Sequence, residues 1–456
     1  MRSAFKWVVC LLLCVVGPAM AGEAPPPESG DVSSPDALLD VEGLSESLTA
    51  GRLLEASRRV VDEGIAEYSY TVQVGPGAYD VITVHRVVTE LLPGIPRIGQ
   101  KPVFLVHGDL WGFRGAFLPS VESSAVPREK SFALYLARQG RDVWGVDLRW
   151  VHVPATTTDF TFMQNWNLET HLQDVRAGLL LANQVRTLGS SSVTPMPLLG
   201  WSRGATIGYA LLNAEAKSPA NQHLVSAFVP VDMAYVFDKT DAVQSEISRA
   251  ACDGYTMLSA LQQSGVYVEG SGQTVQGLGV LAITAPQAPS PLLMGLTNRE
   301  AALLAGSATY MLQGVPLFDW YHFTGGLFSG TTPTGLTWTN ERFFFDVMRQ
   351  ASPFQSSGEQ VETLALWCGS PTQPYNDRLN KVKVPVLYVG AAGGVGELGL
   401  ATLKQLGTKD KDLFSLIVRR LADSDRARDF GHADLFLASD ADQLVWSHIA
   451  NWLAHH

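Results

Sequence analysis

Five runs in this chain hold a stretch of largely apolar residues instead of a strict alternation with polar ones: PVFLVHG (102–108), RDVWGVD (141–147), MPLLGW (196–201), HLVSAFVPV (223–231) and KVPVLYVG (383–390). A strand with one wet face alternates; a strand covered on both faces does not. Helical periodicity separates these runs. EKSFALYLARQG (129–140) is amphipathic and ends on Gly140, and 168–188 places Leu168, Leu172, Val175, Leu179 and Ala182 on one face. Further helices are expected over 203–216, around 401–406 and from about 440 to 453, with another strand in LFSLIVRR (413–420). This alternation predicts an α/β fold, a mostly parallel sheet flanked by helices. Ahead of it, YSYTVQV (68–74), GPG and AYDVITVHRVV (78–88) predict a hairpin of edge strands.

The third run leads into LLGWSRGA (198–205), which holds the one G-x-S-x-G pattern of the chain, Gly200-Trp201-Ser202-Arg203-Gly204. An apolar strand enters the pattern and an amphipathic helix leaves it. The two glycines let strand and helix approach closely, with Ser202 on a strained turn and its hydroxyl exposed. A serine hydroxyl is a weak nucleophile at neutral pH without a base beside it, and acyl transfer also needs donors for the developing oxyanion.

Three elements in this order resemble the α/β-hydrolase superfamily, over about 68–453. His107-Gly108-Asp109 resembles the HGx oxyanion loop, 200–204 the nucleophile elbow, and FGHADLF (430–436) the loop that presents the catalytic histidine. The resemblance implies Ser202 as nucleophile, His432 as base, and the backbone N–H groups of Asp109 and Arg203 as the oxyanion hole. His107 is expected to be a structural hydrogen-bonder, and His322, in WYHF, to serve a lid or core. Two departures stand out. Asp109 puts a carboxylate beside the oxyanion, to be neutralised by Arg114 or Arg203. VDLRW (146–150) resembles the family's D-x-R-G turn with Trp in place of Gly, and Asp147 with Arg149 is expected to form a structural ion pair.

The acid is less plain. Most relatives carry it on the loop after the strand that VPVLYVG resembles, but here Gly393 and Gly394 stand at that place and the first acid is Glu397. Asp232, in FVPVDMAY, follows the preceding strand, where other relatives keep theirs. Topology favours Glu397; spacing does not separate the two. Asp429 and Asp434 are near His432 in sequence, but a near neighbour seldom reaches Nδ1 in the right direction.

Between about 234 and 378 the alternation stops, so a large, mainly helical cap is expected there, inserted into a core formed by 51–233 and 379–456. Its aromatics, among them Tyr321, Phe323, Trp338 and 343–345, suggest an apolar acyl or alcohol group and in large part the cap's own core. Residues 1–21 have the makings of a secretory signal: Arg2 and Lys6, an apolar run too short to span a bilayer, and Ala19-Met20-Ala21. Residues 22–50, rich in Pro, Ser and acids at their start, predict a flexible leader. Without the signal two cysteines remain, Cys252 and Cys368, and in an oxidising compartment a lone pair is most simply a disulfide. No N-x-[ST] acceptor occurs, which fits a bacterial protein that is periplasmic or secreted. A net charge of −11 with no basic cluster argues against a nucleic-acid partner. No metal or organic cofactor is implied.

The expected activity is thus cleavage of carboxylic esters through an acyl-enzyme. The rivals are an inactive hydrolase-fold binding protein, and an enzyme acting on thioester, amide or polyester bonds.

Overall fold

The computed structural model describes residues 51–188, 194–312, 318–370 and 373–456; the signal and leader expected over 1–50 lie outside the described residues. Nine strands form the spine of one sheet: β1 (Arg52–Asp62), β2 (Ile65–Gln73), β3 (Val81–Leu92), β4 (Lys101–Val106), β5 (Arg141–Asp147), β6 (Met196–Trp201), β7 (Val225–Val231), β8 (Val386–Ala391) and β9 (Leu413–Val418). Their order is β1-β2-β3-β5-β4-β6-β7-β8-β9, with the short strand Ile95–Pro96 added against β3. From β5 to β9 every pairing is parallel, whereas β1, β2 and β3 pair antiparallel at one edge.

The apolar runs have the reason expected of them. Leu105, Leu199, Val229 and Val389 face one buried cluster, with Phe117, Phe132 and Trp446. Phe104, Leu198, Phe228 and Tyr388, their immediate neighbours along the strands, face a second cluster that includes Leu172, Val175 and Leu179 of the helix Leu168–Leu188. Both faces are therefore core, and each such side chain contributes roughly 1.5–3 kcal/mol by leaving water. The strand β1 had no apolar signature, because it is the charged edge: RLLEASRRVVD buries only Leu53 and Val61.

Asp147 and Arg149 do not pair with each other. Asp147 accepts from the Phe113 amide (2.6 Å) and contacts His85 Nε2 (3.0 Å), while Arg149 bonds Asp80 (2.6 Å) and Asp174 (2.8 Å). Asp147 ends β5 whereas Arg149 opens the 3-10 turn Arg149–His152, so sequence proximity did not become contact.

Among the described residues, five α-helices lie between β7 and β8: Ala242–Gln263, Ser271–Thr284, Asn298–Ser307, Glu341–Arg349 and Ser357–Cys368. Two short strand pairs join them, Gly326–Ser329 with Thr332–Leu336 and Val268–Glu269 with Gln355–Ser356. The Cys252–Cys368 disulfide ties the first of these helices to the last (Cα–Cα 4.7 Å). Phe343, Phe344 and Phe345 are buried in the same cluster as the sheet residues Leu105 and Val389, so this insertion shares the core of the sheet. Among the described residues no helix is long and apolar enough to cross a membrane.

Candidate active site

Parallel pairing brings three strand ends together: Trp201 lies opposite Val231, and Val231 opposite Val389. Ser202, Asp232 and the glycine stretch after Val389 therefore leave the carboxyl edge of the sheet side by side, where ligands bind in open α/β sheets.

Ser202 sits between β6 and the helix Arg203–Glu215 with φ 56° and ψ −121°, a conformation that costs a non-glycine residue strain. Its amide donates to the Val231 carbonyl (2.9 Å). The flanking glycines are needed for space. A Cβ on Gly200 would lie 2.3 Å from the Gly204 carbonyl oxygen, and one on Gly204 2.2 Å from that of Val106.

His432 is buried on the loop after β9. Its amide donates to the His322 carbonyl (3.0 Å), and its ring stacks on Trp201 (centroids 5.3 Å apart) and lies 5.3 Å from Tyr321. Nδ1 is 2.7 Å from Asp232 Oδ2. With a carboxylate as acceptor, Nδ1–H is the donor and Nε2 is the basic nitrogen.

In the structure Asp232, and not Glu397, lies against His432. Asp232 is fully buried, with φ 50°, and its carboxylate accepts from the amides of Ala391 (2.9 Å), Gly396 (2.9 Å) and Val395 (3.1 Å) besides contacting His432. Glu397 is 39% exposed and paired with Arg419 and Arg426 (3.4 Å to the latter). Its neighbour Gly396 turns an N–H toward Asp232 while the Glu397 side chain goes outward. One of the glycines that stand at the expected place of the acid makes room for Asp232: a Cβ on Gly394 would fall 1.9 Å from Asp232 Oδ2.

Asp109 is held by Arg203 through two contacts, Nε–Oδ1 at 3.2 Å and Nη2–Oδ2 at 3.0 Å. Arg114 instead serves Glu67 (2.8 Å). Burial pulls the Arg203 guanidinium down, but Asp109 and Glu359 overcome this and raise it. As the first residue of its helix, Arg203 has an amide without an intrahelical acceptor. His107 bridges backbone as expected: Nδ1 donates to the Gly108 carbonyl (2.8 Å), Nε2 accepts from the Leu148 amide (3.1 Å), and burial lowers its pKa.

Sequence reasoning gave His322 a lid or core role and set Asp434 aside as an acid, without showing that both support the histidine loop. His322 is buried with its ring nitrogens 2.7 Å from the carbonyls of Trp320 and Asp429. Asp434 accepts from the amides of Gly431 and Gly325 (2.8 Å each) and from Thr339, and burial pushes its carboxyl up to about 7. For Asp434 the sequence sign was its place two residues after His432, in FGHADLF.

No protein-family model and no curated protein matches this chain. Among solved structures it is similar to a presumptive lipase from Sulfolobus solfataricus, at 15% identity and a TM-score of 0.57, covering 88% of this chain and 98% of the other. It is also similar to an esterase from Exiguobacterium antarcticum (14% identity, TM-score 0.39, 82% of this chain and 96% of that one). A thioesterase domain from the curacin biosynthetic pathway matches at 14% identity and a TM-score of 0.40, over 88% of this chain and 100% of the other. With the sheet order and the first of these likenesses, the chain has the α/β-hydrolase fold.

Proposed function

We propose that this protein is a serine hydrolase that cleaves carboxylic esters through an acyl-enzyme. The observation that carries the reading is the contact of His432 Nδ1 with a fully buried Asp232, 200 residues away in sequence, beside a strained Ser202. In this reading His432 Nε2 takes the proton as Ser202 Oγ attacks the carbonyl carbon. Asp232 holds the tautomer and stabilises the imidazolium. The amides of Asp109 and Arg203 receive the oxyanion. Collapse expels the alcohol with the proton from His432, and water then attacks the acyl-enzyme by the same steps.

Trp111, Trp201, Tyr321 and Phe323 form a chain of ring contacts leading to His432, which supports an apolar acyl or alcohol group. The insertion at 234–378 is proposed as the cap over this site. The signal-like pattern of residues 1–21 (Arg2 and Lys6, a short apolar run, Ala19-Met20-Ala21), with the Cys252–Cys368 disulfide, supports an exported bacterial protein, periplasmic or secreted. A fluorophosphonate probe tests the mechanism: labelling of the folded protein is expected and should vanish in Ser202→Ala. Absence of labelling in the folded wild type would favour a binding protein on the same scaffold. A panel of ester, thioester, amide and polyester substrates then identifies the bond.

A further inference from the structure

The two residues whose amides are proposed to form the oxyanion hole, Asp109 and Arg203, are also joined by their side chains. The fork is bidentate (3.2 and 3.0 Å), Arg203 is buried, and the Asp109 side chain is 36% exposed. A carboxylate at this place opposes a developing oxyanion unless a cation balances it.

The insertion holds the same assembly from the other side. The Ser352 amide donates to the Leu110 carbonyl (2.6 Å), and Trp111 Nε1 donates to the Val347 carbonyl (2.7 Å). The Gln355 side chain, in the amide orientation that gives both its atoms a partner, accepts from the Leu110 amide and donates to Asp109 Oδ1, each at 2.9 Å. Glu359, on the helix Ser357–Cys368, approaches Arg203 Nε at 3.6 Å and also contacts His171. Leu110 has φ 75°, which a leucine keeps only when its surroundings impose it.

We infer that the Arg203 side chain is a positioning residue, clamping the oxyanion loop against the elbow and cancelling the charge of Asp109, with the insertion segment 352–359 as the brace of that clamp. The inference rests on the Ser202 mechanism above. Every substitution of Arg203 or Asp109 other than proline keeps the backbone N–H, so a change in rate reports the side chains alone.

The test is a cycle on kcat and KM in the full-length protein with a chromogenic ester. Arg203→Gln leaves Asp109 unbalanced and is expected to lower kcat by about 10- to 100-fold, with KM moved much less, on the scale of a weakened oxyanion donor. Adding Asp109→Asn removes the stranded charge and is expected to recover about tenfold of that loss. Loss of turnover in Ser202→Ala, together with equal kcat in R203Q and R203Q/D109N, would overturn the clamp and leave the mechanism standing. Turnover that survives in Ser202→Ala would overturn both. If R203Q does not fold, Arg203→Lys replaces it, keeping the charge and losing the fork. A kcat about tenfold lower at similar KM is then expected, and an unchanged kcat overturns the inference.

Discussion

Asp232, at the start of the loop after β7, and Glu397, after β8, have opposite surroundings. Asp232 is fully buried against three amides and a histidine, whereas Glu397 is 39% exposed between two arginines. The first loop supplies the side chain and the second supplies the socket. An acid with three amide partners and one imidazole is held in one orientation. Glu397 instead points away from His432, toward Arg419 and Arg426. The lesson is that a loop lacking the expected acid can still build the acid's site, through backbone N–H groups.

That contrast can be broken most sharply at Asp232. Asp232→Asn, with folding checked by circular dichroism, should lower kcat by about 10⁴-fold through loss of the correct tautomer. A variant within tenfold of wild type would remove Asp232 from the mechanism. Gly394→Ala comes next: its Cβ meets Asp232 Oδ2, so the loop or the carboxylate must shift, with an expected fall in kcat of about 10- to 100-fold. Steady-state kinetics on both variants would show whether the socket matters as the acid does. Glu397→Gln should be nearly silent, with kcat within about twofold and stability changed by less than about 1 kcal/mol, as for exposed ion pairs. A large drop in kcat for this variant would reverse the assignment.

A third histidine sharpens the comparison, because contact with a carboxylate does not by itself make a base. His85 lies between Glu67 (2.9 Å) and Asp147 (3.0 Å), with both ring nitrogens occupied. Burial lowers its pKa, but the two carboxylates more than offset this and raise it to about 9. A histidine held above its unfolded value near 6.5 adds stability that is complete below that pH and is lost as pH rises toward 9. Differential scanning calorimetry from pH 6.5 to 9 should therefore show a falling Tm, on the order of 1.4 kcal/mol per pH unit at most. His85→Gln should lose that slope; a wild-type Tm that is flat across the window would refute the His85 assignment. Among the described residues His432 meets a carboxylate at Nδ1 only, which fits the proton shuttle proposed for it.

Much of this molecule was legible from residue order. The strands at 102–106, 196–201, 225–231 and 386–391 announced themselves because both their faces are buried, and Ser202 because only glycines fit on either side of it. His432 followed from its place after the last strand. The edge strand β1 was hidden by its charge, and the supports His322 and Asp434 by lying in segments without periodicity.

The sequence by itself determined the sheet, the elbow and the two acids that could serve His432. Only the tertiary structure shows which of them lies against His432, and that Arg203 rather than Arg114 pairs with Asp109. The reason is physical. Which strand ends meet is set by pairing across the sheet, and a backbone N–H, the group that receives Asp232, is the same in every residue and leaves no mark in the one-letter code.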